Sequence, residues 1–400
     1  MAGSLRINSN STDAELLDVI TRIKGRYPRE PAVAADLARS VASSGAQISA
    51  RASFSADVAS TGGPTSLSTL ICPLFLRAAG AVVPKLGVPG RPAGGIDCLA
   101  QIPAYQYRMN KEEVEQGLDS SGYVHFLVED VAPLDIRMFR LRQQNSAQDV
   151  PTLVAASLMA KKLAVGVNQA GLDVRVAPHG NFGKTWKDAK ENAHLFIDTG
   201  RRLGITTAPV LTDGCIPYQP YVGRKEALLA LYKLFDGQQT AWLGEHFALC
   251  RTIALSCAPP DRRPQILHTS PADLKKIFEQ NVQIQGGQME SLPKLMNQVE
   301  ADHRLTINAK QDGFASFNLE GIRHVLVDRQ RRHINTTWEF PDPLGLIFKA
   351  RPGEWVKAGA CLATVRVQDQ TDLDALNDLA PTFVGVQQVP VGLGVEGVLA

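Results

Sequence analysis

The sequence predicts an α/β fold with a largely parallel sheet, followed by a small β-rich domain. Short apolar runs alternate with helix-length amphipathic segments from about residue 50 to about residue 260. The composition then changes at a proline-rich stretch, and strand- and turn-forming residues prevail after about residue 304. Such alternation is typical of parallel sheets, because a crossover between parallel strands usually contains a helix.

The individual elements follow from apolar spacing. Leu16, Leu17, Ile20 and Ile23 have helical spacing and predict a helix over residues 13–24, and a second helix is expected over residues 32–46. Strands are expected over residues 50–58 and 171–176, and a linker over residues 259–264. Further helices are expected over residues 67–80, 150–166, 185–203, 222–235 and 240–257.

Bulk properties exclude several classes of protein. A net charge of +2 over 400 residues gives no field that favours nucleic acid or an anionic membrane. No apolar run is long enough to cross a bilayer, and the first residues do not resemble a signal peptide. The 6 cysteines are scattered, which indicates free, mostly buried thiols and a cytoplasmic protein rather than disulfides or a metal site.

A glycine-rich turn, DVASTGGPTS at residues 57–66, separates an expected strand from an expected helix. This order creates an anion site, because glycine lets the backbone approach closely and the first amides of a helix have no partner within it. A tight turn without a ligand fits the same spacing. The residues expected to bind phosphate here are Ser60, Thr61, Gly62, Gly63, Thr65 and Ser66.

Further motifs accompany the turn in a fixed order. The turn itself is similar to D-K-H-S-T-G-G, residues 83–97 to V-P-K…G-G-T-L-D, and residues 132–142 to A-P-A-D…L-R. Residues 150–164 follow I-P-L-I-A-S-S-I-M-S-K-K-L-A, residues 172–176 follow L-D-V-K-V, and residues 211–213 are L-T-D. The chain thus resembles a divergent member of the thymidine/pyrimidine-nucleoside phosphorylase family, whose fold is shared with anthranilate phosphoribosyltransferase.

This resemblance implies a division of the chain into lobes. A small all-helical lobe would comprise residues 1–50 and about 132–166, and an α/β phosphate-binding lobe residues 51–131 and about 167–260. Residues 261–304 would connect these to a β-rich C-terminal domain at 305–385, with a tail at 386–400. Substrate would bind between the first two lobes. The family also implies a homodimer formed through the helical lobe, whose N-terminal part is shortened here.

The resemblance further implies phosphorolysis, in which phosphate attacks the anomeric carbon of a pyrimidine or modified nucleoside. The products are free base and pentose 1-phosphate; phosphate is a co-substrate, and no cofactor, metal, nucleic acid or membrane is involved. Arg142, Ser157 and Lys161 match residues that contact the base. Ser157 and Lys161 are four residues apart and share a helix face, and the cations Arg142 and Lys161 would stabilise charge on the leaving base.

The chain departs from the family at the turn. Val58 and Ala59 replace a Lys-His pair, Pro64 replaces a longer insertion, and Gly95 replaces a threonine. Loss of a charge-assisted contact weakens binding by about 1.5–3 kcal/mol. Phosphate binding by the backbone amides of the turn should remain, because it requires no side chain.

Other residues are candidates to compensate. Lys85 and Arg91, expected in the second loop, could restore positive charge for phosphate. His179 is a candidate acid or base, since imidazole titrates near neutrality; an exposed loop histidine is the alternative. Arg224 and Glu226 are expected on the surface.

Two other functions fit the sequence. A phosphoribosyltransferase that uses phosphoribosyl pyrophosphate would share a similar glycine turn, but it normally needs acidic residues for Mg²⁺, and no neighbouring pair is evident. A non-catalytic nucleoside- or nucleotide-binding homologue is the other alternative, because Val58 and Ala59 remove family side chains.

Overall fold

The computed structural model describes residues 5–50, 52–334, 339–368 and 373–380. Among these residues, no helix combines the length and apolarity that a membrane span requires. The predicted tail at 386–400 lies outside the described residues.

Four helices pack against one another and share an apolar core with the sheet. They are α1 (Asp13–Arg26), α2 (Pro31–Ala42), α6 (Pro133–Gln144) and α7 (Pro151–Ala164). Thr12 and Glu15 form a capping box that fixes the start of α1. Helix α2 packs against α7 and α1 against α6, so segments more than 100 residues apart form one layer.

A parallel sheet forms the centre of the fold. Its strands are β1 (Ala56–Ser60), β2 (Val83–Leu86), β3 (Tyr123–Phe126), β4 (Gln169–Val176) and β5 (Thr206–Asp213). β1 pairs with β4 and β4 with β5, while β2 pairs with β3. A parallel bridge between Ser55 and Val82 joins the two groups and gives the order β3-β2-β1-β4-β5. All the carboxyl ends therefore lie at one edge, with the loop after β1 in the middle.

Helices cover the sheet and bury its apolar strands. They are α3 (Ser68–Ala78), α4 (Gly95–Leu99), α5 (Lys111–Ser121), α8 (Trp186–Leu203), α9 (Arg224–Phe235) and α10 (Ala241–Cys257). The fold class is as predicted, although β1 begins at Ala56 and occupies only the end of the expected strand.

The expected linker at residues 259–264 is helical instead. A 3₁₀ turn (Pro260–Arg262) leads directly into α11 (Arg263–His268), because proline is well tolerated in the first turn of a helix. Helices α12 (Pro271–Ile284) and α13 (Leu292–Ala301) follow, with a 3₁₀ turn at Met289–Ser291 between them. Proline-rich composition here marks helix starts.

The C-terminal part combines two small antiparallel sheets with helices. One sheet has the order β6-β9-β11-β7, from strands Tyr221–Val222, Leu344–Phe348, Cys361–Val367 and Leu305–Asn308. The other pairs β8 (Gly313–Phe314) with β10 (Trp355–Val356). Helix α14 (Leu319–His333) and the short α15 (Ala375–Leu379) complete this part. The strand-rich interpretation missed α14, which buries Leu319, Ile322 and Leu326.

Buried ion pairs join α9 to the C-terminal sheet. Glu226 accepts two hydrogen bonds from Arg366, at 2.6 and 3.0 Å, and Arg366 also pairs with Asp342. Burial raises the pKa of Glu226, but Arg366 and His303 outweigh this and lower it to about 2. The expected surface positions of Arg224 and Glu226 are wrong, since both are buried.

Candidate functional site

The glycine turn connects β1 to α3 at the centre of the sheet edge. Gly62 and Gly63 have φ angles of +104° and +137°, which only glycine adopts without strain. Among the described residues, the backbone amides of Gly63, Thr65 and Ser66 have no protein acceptor. Three amides beside the first turn of α3 are thus free to donate to an anion.

The four hydroxyls of the turn fall into two groups. Ser66 donates to Ser68 at 3.0 Å, and Ser60 donates to Asp173 at 3.4 Å, so these two hold the turn in place. Thr61 and Thr65 instead accept bonds, from the backbone amides of residues 175 and 218 at 2.8 and 3.3 Å. Their hydroxyl protons remain available, so the threonines are the better candidates for donation to phosphate.

Arg175 on β4 supplies a cation next to the turn. A β-carbon built on Gly63 would lie 2.9 Å from Nη1 of Arg175. Asp173 orients the guanidinium through bonds of 3.1 and 2.7 Å, and the guanidinium lies 4.4 Å from the centre of the Tyr218 ring. Burial raises the pKa of Asp173, but Arg175 outweighs it and the net shift is downward. Both charges therefore persist at neutral pH.

Arg175 is not among the site residues that the sequence predicts. Its signal is two charged residues at positions i and i+2 of an apolar strand, which places Asp173 and Arg175 on the same face. In a buried parallel strand, such a pair is unusual enough to indicate a site.

A second set of charges is buried beneath the turn. Asp57 bonds to Lys85 at 2.7 Å and also to Lys162, and Lys85 donates to the carbonyl of Val58. Burial opposes ionisation of Asp57, but the two ammonium groups lower its pKa to about 2. Burial also lowers the pKa of Lys162. With both lysines protonated, the group carries a net +1 charge.

This arrangement corrects the expectation for Lys85. It lies in β2 rather than in the following loop, and its ammonium group is directed at Asp57. Val58 is fully buried, so the position that carries lysine in the family faces the core here.

The second loop is shaped by a buried carboxylate. Asp97 accepts the amides of Gly90 and Arg91 at 2.8 and 3.1 Å, and it pairs with Arg224 at 2.9 Å. Its other oxygen, Oδ2, is buried without a hydrogen-bond partner in the described part of the chain. Burial outweighs Arg224 and raises the pKa of Asp97 to about 6. The side chain of Arg91 leaves this loop and lies 5.7 Å from the centre of the Phe139 ring.

The predicted base-contacting residues lie on α6 and α7. Ser157 and Lys161 are in contact at 2.9 Å, and Lys161 also pairs with Asp135 at 2.5 Å. Arg142 is buried, and its guanidinium donates to the carbonyls of Ala147, Gln148 and Leu153. In this conformation Arg142 fixes the loop between α6 and α7, whereas one N–H of Lys161 has no partner among the residues that the structure describes.

Helix α7 links this group to the turn. Lys162 reaches under β1 to Asp57, while the adjacent Lys161 lies on another face of the helix, beside α6. His179 lies in the loop after β4, at the same edge of the sheet as the turn, and its Nδ1 is 3.9 Å from Glu320 of α14. Burial is the main cause that lowers the pKa of His179. Its assignment as acid or base stays a prediction.

Sequence comparison finds relatives with named activities, although no protein-family model matches the chain. It is 25% identical over 324 residues to a pyrimidine-nucleoside phosphorylase of Geobacillus stearothermophilus, covering 77% of this chain and 73% of that protein. The enzyme of the same name from Staphylococcus haemolyticus is 24% identical over 341 residues, covering 81% and 77%. A thymidine phosphorylase of Mycobacterium tuberculosis is 31% identical over 169 residues, which is 42% of this chain and 39% of that one.

Structure comparison finds the same fold in solved proteins. Anthranilate phosphoribosyltransferase from Thermus thermophilus matches with a TM-score of 0.54 at 15% identity, covering 70% of this chain and 92% of that one. The Saccharomyces cerevisiae enzyme, in complex with PRPP and Mg, matches with a TM-score of 0.51 at 11% identity, over 68% and 85%. The chain is thus similar in sequence to thymidine and pyrimidine-nucleoside phosphorylases, and it has the fold of anthranilate phosphoribosyltransferase.

Proposed function

We propose that the protein is a pentosyltransferase that cleaves a pyrimidine or modified nucleoside with inorganic phosphate. The observation that carries the proposal is the turn after β1, where three free amides and the Arg175 guanidinium adjoin Gly63. The relatives named pyrimidine-nucleoside phosphorylase support the reaction class.

The reaction joins a phosphate oxygen to the anomeric carbon and breaks the glycosidic C–N bond. The turn would hold the attacking phosphate through its amides, the hydroxyls of Thr61 and Thr65, and Arg175. These donors are fixed before substrate arrives, so no reorganisation is needed during the reaction. The departing base takes the bonding electrons, and the protonated amine of Lys161 can donate its free N–H to that base.

This assignment gives the three base-contacting candidates different roles. Lys161 and Ser157 would contact the base directly, because they lie together on one face of α7. Arg142 would act through the loop that its bonds to the three carbonyls organise. His179, in the loop after β4, remains a candidate acid or base.

The phosphoribosyltransferase alternative shares the fold but finds less support at the site. Such chemistry needs carboxylates that are free to hold Mg²⁺. The two carboxylates beneath the turn are already occupied, Asp57 by two lysines and Asp173 by Arg175. A non-catalytic binding protein is the remaining alternative, and it predicts stabilisation by nucleosides without turnover.

We further propose a cytoplasmic homodimer that acts on small molecules. Free thiols support a reducing compartment, because the described cysteines form no disulfide and four of them are buried.

Product chromatography tests the function directly. The protein is incubated with thymidine, uridine and their methylated analogues, with and without phosphate, and base and pentose 1-phosphate are quantified. We expect both products in equal amounts, and only with phosphate. A parallel incubation contains phosphoribosyl pyrophosphate and Mg²⁺. Consumption of phosphoribosyl pyrophosphate there, without consumption of phosphate in the first incubation, would indicate the transferase alternative.

A further inference from the structure

Basic side chains lie on the two loops that flank the glycine turn and on the helix that contacts both loops. Arg91 lies in the loop after β2, His179 in the loop after β4, and Arg323 and His324 in α14. Strands β2 and β4 flank β1 in the sheet. The two loops therefore lie on either side of the turn that follows β1.

Helix α14 extends across both of these loops. Towards its C-terminal end, Gln330 donates to the carbonyl of Pro92 at 3.3 Å, which fixes the helix to the loop after β2. Near its N-terminal end, Glu320 lies 3.9 Å from His179 in the loop after β4. Arg323 is one helical turn beyond Glu320, so it occupies the span between these two anchors.

The two arginines of this cluster are only partly neutralised. Burial is the main cause that lowers the pKa of Arg91, the positive charge of Arg323 lowers it further, and the Asp97 carboxylate offsets these effects only in part. Within the described ranges, neither guanidinium forms an ion pair with a carboxylate, and Glu320 is the one acid in contact with His179. Like charges held close together with restricted access to water repel each other, and a bound anion removes that penalty.

We propose that Arg91, Arg323, His179 and His324 form a second phosphoryl-binding subsite next to the glycine turn. This deepens the proposed function and rests on it, because it assumes that the turn holds the attacking phosphate. The bound group could belong to a phosphate ester on the sugar or to the second phosphoryl group of pyrophosphate. Both sources present the same tetrahedral oxyanion, which guanidinium groups bind well.

Binding measurements on matched ligands test the subsite. Calorimetric affinities are compared for phosphate and pyrophosphate, and for uridine and uridine 5′-monophosphate. The first comparison tests the second phosphoryl group of pyrophosphate, and the second comparison tests a phosphate ester on the sugar. We expect pyrophosphate to bind at least ~10-fold more tightly than phosphate, or uridine 5′-monophosphate at least ~10-fold more tightly than uridine. One additional charge-assisted contact has about this effect. The comparison that shows this gain in affinity identifies the source of the bound phosphoryl group.

Substitutions on α14 test whether this gain in affinity depends on the basic cluster. Arg323→Ala should remove ~10-fold of the gain, and Arg323→Lys should keep part of it. Arg331→Ala is the matched control, since it removes the same charge from an exposed position on the same helix. Glu320→Gln should increase the gain, because it removes the negative charge next to His179. Circular dichroism melts confirm that each variant is folded.

The outcomes separate this subsite from the proposed function. No gain in either comparison, or a gain that persists in Arg323→Ala, overturns the subsite even where nucleosides release base. If no nucleoside or nucleotide releases base with phosphate, the proposed function fails, and the binding comparison still decides the subsite.

Discussion

Gly63 and Arg175 are in such close contact that a β-carbon on the glycine would lie 2.9 Å from Nη1 of the arginine. The contact brings a guanidinium on β4 to the turn after β1, at the edge where ligands bind in parallel α/β sheets. It also explains how the turn retains a cation although position 58 is a buried valine.

Alanine at Gly63 should therefore impair phosphate binding more than alanine at Gly62. Both glycines have positive φ, so both substitutions strain the backbone by roughly 1–3 kcal/mol. Only the methyl group at 63 also displaces Arg175, whereas nothing lies within 4 Å of a β-carbon at 62. Phosphate titration by calorimetry compares the two variants, and equal affinities would contradict the role of the contact.

Arg175→Met should weaken phosphate binding by ~10- to 150-fold, the effect of one lost charge-assisted bond. Arg175→Lys should recover part of the affinity, because lysine keeps the positive charge but lacks the planar set of N–H donors of a guanidinium. Arg201→Met, on an exposed face of α8, is the control for charge removal. Phosphate Kd and the KM for phosphate are the readouts; values for Arg175→Met that match the control would refute the assignment.

The adjacent residues Lys161 and Lys162 should behave in opposite ways. Lys161→Ala removes a partly exposed donor near the proposed base site and should lower kcat with little change in stability. Lys162→Met removes one of the two cations on buried Asp57 and should mainly change stability. Urea unfolding and steady-state kinetics on both variants separate the two effects; unchanged turnover in Lys161→Ala would exclude its contact with the base.

Asp57→Asn should destabilise the protein by about 3–5 kcal/mol, because it leaves two buried ammonium groups without their carboxylate. Adding Lys162→Met to this variant should restore part of the loss, since only one ammonium group then remains. Urea unfolding measures both. A double variant less stable than Asp57→Asn would show that the lysines do not repel each other.

Asp97 should cause stability to fall as pH rises from about 4 to 6. Burial raises its pKa to about 6, so in this window the folded protein binds more protons than the unfolded chain. A shift of this size corresponds to on the order of 2–3 kcal/mol. Asp97→Asn should flatten the dependence, because asparagine does not titrate. Urea unfolding at several pH values compares the slopes, and parallel slopes for both proteins would contradict the shift.

The sequence predicts much of the fold because its signals are local. Helical spacing identifies α1, and the strand–glycine–helix order identifies the turn before α3. Helix α14 was missed because it follows two short strands in a region rich in turn residues. The prolines of residues 259–264 are compatible with a linker and with helix starts, so the sequence alone does not distinguish the two.

The site is less predictable, because its electrostatics depend on contacts between distant segments. Lys85 meets Asp57 across 28 positions, and Lys162 meets it across 105. Nothing in the local sequence distinguishes Lys162, which is buried, from its neighbour Lys161. Arg175 had a usable signal in its alternation with Asp173, whereas the packing of α14, which brings Arg323 towards Arg91, has no local signal.

The most direct test is phosphate-dependent release of base from a pyrimidine nucleoside. Reactions with and without phosphate are followed by chromatography for the wild type and Arg175→Met. We predict that base appears only with phosphate, in equal amounts with pentose 1-phosphate, and that Arg175→Met requires a far higher phosphate concentration. Base release that is independent of phosphate, or no release after prolonged incubation at saturating phosphate, would contradict it.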